Sequence, residues 1–182
     1  MAKFRLLITD LTEYGQLRCI AGWDLERGKM IRPEPHPGGF WQPTLCGPGK
    51  PFAPGNIVSF EGAAPVPKTE YPHLNEDIVV QGAASLDKVL SADKFIGALR
   101  QVETVDRSVA FAAPVEIDNA KAFIRTGTKC PSLRGLKIKG DAVLFIEEKY
   151  GDKPPKARCL ISIPQKASIN LAEVEGKHSP VN

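Results

Sequence analysis

The chain has 182 residues, 42 % of them hydrophobic and 25 % charged, with 24 Lys plus Arg against 21 Asp plus Glu for a net charge of +3. That is enough apolar material for a core, which excludes a disordered chain, and the mild basic excess lacks the footprint of a strongly basic nucleic-acid binder. Sixteen prolines beside sixteen glycines punctuate the chain so often that long helices are excluded over most of it.

The first segment, KFRLLIT, alternates, with Phe4, Leu6 and Ile8 on one face of an expected strand. Its apolar run stops at Asp10, too short for the core of a signal peptide, and no 18-residue apolar stretch follows, so the expectation is a cytoplasmic protein without a membrane span. The next segment, QLRCIAGWD, would place Leu17, Cys19, Ala21 and Trp23 together on an inward face. The turn LERG and the strand GKMIRP then complete a β-hairpin over residues 17–33. A Pro/Gly-rich loop runs from Pro33 to Pro54 without periodicity, and loops of that length usually carry function. The strand NIVSFEG follows it.

A composition shift between Gly62 and Asp77 reads as a connector, followed by the short strand DIVVQG. In SADKFIGALRQV, Ser91 is placed to cap a helix on which Phe95, Leu99 and Val102 recur at helical spacing. Strands return in the C-terminal half, most clearly AVLFIEEKY and KARCLISI flanking the turn GDKPP. The tail after Ile169 is polar. The division expected is a first barrel with its connector over residues 1–82 and a second over 83–182, each suited in size to five short strands. The cysteines, Cys19, Cys46, Cys130 and Cys159, form no CxxC pair and read as free thiols.

The segments CIAGWD, GKMIRP, PGNIVSF and HLNED together resemble the dual OB-containing domain family, a poorly characterised group of prokaryotic proteins. That pattern falls here on Cys19, Ala21, Gly22 and Asp24, on Arg32 and Pro33, on Pro54 and Gly55, and on His73, Glu76 and Asp77. Asn56 stands where the pattern has aspartate. The resemblance covers the first half of the chain. It implies two tandem small OB-like barrels, in keeping with the mainly β reading of the strands with one short helix and long Pro/Gly-rich loops, and it brings no assigned functional residues.

Four groups of residues are candidates for function. Trp23, Phe40 and Trp41 supply aromatic surface and Arg18, Lys29 and Arg32 supply charge, the two requirements for holding single-stranded nucleic acid. Trp41, beside Gly38 and Gly39 in the loop, is the better candidate for exposure, while Trp23 fits the core. In RGLKIKG, Lys137 and Lys139 share one strand face that suits a phosphate backbone or guards an edge. His36, Cys46 and His73 have the residue types of a metal or nucleophile site but not the spacing, so no metal or cofactor is expected. His73, Glu76 and Asp77 form an acid–base candidate, with an Arg32–Asp77 ion pair as the structural alternative. Phosphate-loop, GxSxG and HExxH motifs are absent.

The expected ligand surface therefore comprises Arg32, His36, Phe40, Trp41, His73, Glu76, Asp77, Lys137 and Lys139. The expected function is a binding module for nucleic acid or a nucleotide-like ligand. The alternatives are an enzyme with a site between the barrels and a scaffold whose long loop docks a protein partner.

Overall fold

The computed structural model describes residues 1–65, 76–102, 104–105, 116–118, 121–125, 128, 130, 133, 135–136, 142–147, 156–161 and 169–170. The chain is mainly β, and it separates into two compact units. One holds Met1–Ala112 with Lys129–Leu136, the other Ala113–Thr128 with Lys137–Asn182.

The first unit contains a closed barrel of five strands: β1 (Ala2–Tyr14), β2 (Leu17–Asp24), β3 (Lys29–Glu34), β4 (Asn56–Ala63) and β5 (Asp77–Val89). Around the barrel the order is β1-β2-β3-β5-β4. All neighbours are antiparallel except β3 and β5, which run parallel through Arg32↔Asp77, Pro33↔Ile78 and Glu34↔Val79. Closure leaves this sheet no free edge.

Phe4, Leu6 and Ile8 point inward, as their alternation predicts, and meet Ile20, Ile31, Val58, Phe60, Ile78 and Val80 in the core. Each fully buried side chain of this size is worth about 1.5–3 kcal/mol relative to exposure. The β4–β5 register shifts between Ser59 and Glu61, a β-bulge in this pairing. Gly82 sits there with φ +75°, a conformation side chains rarely adopt. The expected division at residues 82 and 83 falls inside this strand, which keeps pairing with β4 as far as Val89.

β2 takes the phase opposite to the expected one. Ile20 is inside at 0 % exposure, and Gly22 faces the same way. A Cβ on Gly22 would lie 2.5 Å from the Leu7 carbonyl oxygen and 2.7 Å from Leu6 Cγ. The glycine is the gap that Leu6 fills. Cys19 and Trp23 consequently lie on the outer side, each half-buried.

The long loop is the second correction. Between Trp41 and Phe52 it supplies Trp41, Cys46 and Phe52 to the core, while Gln42, Thr44, Leu45 and residues 48–50 stay exposed. The β2–β3 ladder reaches only Gly22↔Ile31, and Pro33 has no N–H with which to extend it. Trp41 takes the place of that ladder. Its backbone exchanges hydrogen bonds with Arg18, at 2.9 and 2.8 Å. The indole Nε1–H donates to the Pro33 carbonyl at 2.7 Å, and the ring packs on Phe52 with centroids 4.5 Å apart. Trp41 is 7 % exposed, so it is a wedge in the barrel wall and not a surface aromatic.

A short 3-10 turn, Pro43–Leu45, lies within this segment. Asn56 anchors its far end, donating Nδ2–H bonds to the carbonyls of Lys50 and Pro51 at 2.9 and 3.0 Å. An aspartate there, as an acceptor only, would make neither bond.

Helix α1 (Ala92–Leu99) starts after Ser91, as expected, although the serine hydroxyl makes no capping bond. Phe95 packs over Gly55, and Val102 is buried just beyond the helix. Also in the first unit, β6 (Thr104–Val105) pairs in parallel with β9 (Gly135–Leu136). In the second unit β7 (Glu116–Asp118) pairs with β8 (Lys121–Phe123). β10 (Ala142–Glu147) pairs antiparallel with β11 (Lys156–Ile161), the hairpin expected there, and β12 (Ile169–Asn170) adds a third strand. No helix among the described residues is long and apolar enough to cross a membrane.

Candidate binding face of the first barrel

The outer side of β2 and β3 brings two of the candidates, Trp23 and Arg32, onto one face. Strand alternation puts Cys19 and Trp23 of β2 outward together with Met30, Arg32 and Glu34 of β3. Trp23 and Met30 are direct cross-strand neighbours. Leu7 and Ile57 continue that row across β1 and β4. Those two are buried, so the apolar row becomes accessible only at its Trp23–Met30 end. AGWD carries only a local hint of this placement, a glycine in phase with Ile20, and the volume of Leu6 over that glycine decides it.

Arg32 and Asp77 meet, as the structural alternative required. Arg32 Nε donates to Asp77 Oδ1 at 2.6 Å. The side chains are 21 % and 5 % exposed respectively, so the carboxylate lies beneath the guanidinium. Burial pulls the Arg32 pKa down, but the charge and hydrogen bond of Asp77 outweigh it and hold the group above its ordinary value. Arg32 is a fixed cation. Burial pushes the neighbouring Cys19 thiol up against the opposing pull of Arg32, so it is not an activated thiolate.

Glu76 belongs to the same staple. Its carbonyl accepts the Arg32 backbone N–H at 2.8 Å, and its Oε1 accepts the Leu133 N–H at 3.1 Å. The two acids are thus committed to internal partners. Their histidine neighbour in sequence, His73, lies outside the described residues, as do Lys137 and Lys139.

The loop segment between β3 and Trp41 remains on the surface. His36 is exposed, and Phe40 is 49 % exposed beside the Trp41–Arg18 bridge. Gly39 N–H donates to Glu34 Oε2 at 3.2 Å, tying this segment back to β3. Arg18 is spoken for, bonded to the Gly15 and Leu17 carbonyls and paired with Glu13 at 3.3 Å. Lys29 is exposed at the start of β3.

Cys46 is a core thiol, and burial pushes its pKa up to about 11, so it is protonated at neutral pH. The structure does not bring it to the surface with His36. Among the described residues no group of three His, Cys, Asp or Glu side chains is arranged to hold a metal ion.

What the described residues define as a class is a mainly β protein whose first unit is a closed five-stranded barrel with an aromatic and charged outer face. No family model, curated protein or solved structure matches the chain.

Proposed function

We propose that the first barrel is an OB-like binding module that engages single-stranded nucleic acid or a nucleotide-like ligand on the outer face of β2 and β3. The observation that carries this reading is the strand order β1-β2-β3-β5-β4, with parallel β3 and β5 and with Trp23 and Met30 accessible on the outside. OB-type barrels present that face, with its flanking loops, to oligonucleotides and sugars. Trp23 offers the stacking surface on the strand, and Phe40 a second aromatic on the loop, with His36 close to it in sequence. The second unit, with its β10-β11-β12 sheet, is on this reading another OB-like barrel, which would make the chain a relative of the dual OB-containing proteins.

Among the described residues no comparable observation favours an enzyme or a loop-docked scaffold. Cys46 is buried with its thiol protonated, and the loop commits Trp41, Cys46 and Phe52 to the core.

Fluorescence anisotropy with labelled single- and double-stranded DNA and RNA, over a range of salt, tests the proposal. Single strands should bind and weaken as salt rises. Trp23→Ala should cost about ten-fold in affinity, because stacking contributes roughly 1–3 kcal/mol per base. Trp41→Phe should bind as the wild type does. Absence of binding across all four probes at low salt overturns the reading.

A further inference from the structure

The arginine placed to meet a phosphate on this face is already engaged. Arg32 Nε donates to Asp77 Oδ1, and the carboxylate is the more deeply buried partner. Nor is Asp77 free to swing away. It opens β5 as the register partner of Arg32, next to the Glu76 carbonyl that accepts the Arg32 backbone N–H. Two residues further along β3, on the same outer side, Glu34 adds a second carboxylate. Around one cation, then, stand two anions. A ligand phosphate approaching Arg32 meets a guanidinium whose charge is more than matched by its neighbours.

We infer that Asp77, backed by Glu34, occupies Arg32 in place of a ligand phosphate, and so sets the specificity of the face against phosphodiester charge and toward stacking at Trp23. This rests on the reading of the face as a nucleic-acid or nucleotide site. Asp77 is a positioning residue here, acting on the ligand through Arg32. As an ion pair serving only the fold it would influence stability and leave salt dependence alone.

Asp77→Asn separates the two roles, because the amide oxygen still accepts the Arg32 Nε–H while the negative charge is gone. With fluorescein-labelled single-stranded DNA as probe, Asp77→Asn should bind about five- to ten-fold more tightly than the wild type at low salt, the gain of one charge-assisted contact. The log–log dependence on salt should steepen by about 0.7, the increment for one more phosphate neutralised on a single strand. Adding Arg32→Gln to Asp77→Asn should remove both gains.

If the wild type binds but Asp77→Asn binds no more tightly, or gains affinity with an unchanged salt slope, the inference is overturned while the binding function stands. If neither protein binds, function and inference fall together. Circular dichroism establishes that the variant is folded. Should Asp77→Asn not fold, Glu34→Gln decides: about two- to three-fold tighter binding supports the inference and unchanged affinity overturns it.

Discussion

The exchange of roles between the two tryptophans is the most exposed consequence of this structure. Trp41→Ala removes an indole that is almost wholly buried, packed on Phe52 and bonded through Nε1 to the Pro33 carbonyl. Truncating a buried tryptophan costs about 3–5 kcal/mol. Within that total, leaving the Pro33 carbonyl without its donor accounts for roughly 1–3 kcal/mol. Against a typical domain stability of about 5–15 kcal/mol, that is a large share. Trp23→Ala takes away a half-buried side chain from the outer face and should cost about 1–2 kcal/mol. Urea titrations followed by far-UV circular dichroism measure both. Because the chain has only two tryptophans, each single Trp→Phe variant also leaves one reporter. Trp41→Phe should leave a red-shifted emission readily quenched by acrylamide, and Trp23→Phe a blue-shifted, protected one. A stability loss for Trp23→Ala that equals or exceeds the loss for Trp41→Ala would refute this assignment, as would a Trp41 that quenches more easily than Trp23.

Two further outcomes follow from the core. The Cys46 thiol has its pKa raised from 9.0 to about 11 in the folded protein, so the unfolded chain ionises first. Its contribution to stability is complete below pH 9 and is lost as pH rises toward 11. Urea midpoints across that window should fall more steeply for the wild type than for Cys46→Ala, and parallel curves would contradict the buried thiol. Gly22→Ala should lower the melting temperature markedly, because its Cβ would collide with backbone at 2.5 Å, a strain of about 1–3 kcal/mol or more. Gly97→Ala, with open space around the new methyl group, should instead stabilise α1 by about 0.5–1 kcal/mol. Calorimetry on the pair checks both signs.

Where most apolar residues of a strand share one phase, the sequence alone determined which face turns inward. KFRLLIT places Phe4, Leu6 and Ile8 in one phase, and the core contains all three, while Leu7 in the other phase is buried on the outer side. The same local logic located the turn after Asp24, the start of α1 after Ser91 and the pairing of β10 with β11, because turn residues and apolar periodicity act over a few residues. The Arg32–Asp77 pair was legible as an alternative, since a lone arginine and an acidic dipeptide flank the strands that come together.

Other placements needed the closed barrel. LRCIAGWD carries apolar residues in both phases, so its alternation cannot choose a face. The choice came from the volume of Leu6, which fills the space over Gly22 and turns Trp23 outward. The Pro33–Pro54 loop has no periodicity to read, and the burial of Trp41 follows from a main-chain gap that Pro33 leaves between β2 and β3. Trp41 fills that gap with both backbone and indole hydrogen bonds. Short-range chemistry is written in neighbouring residues, whereas the inward face of an ambiguous strand and the fate of a long loop depend on distant volumes and unmet hydrogen bonds. Those exist only once the barrel has closed.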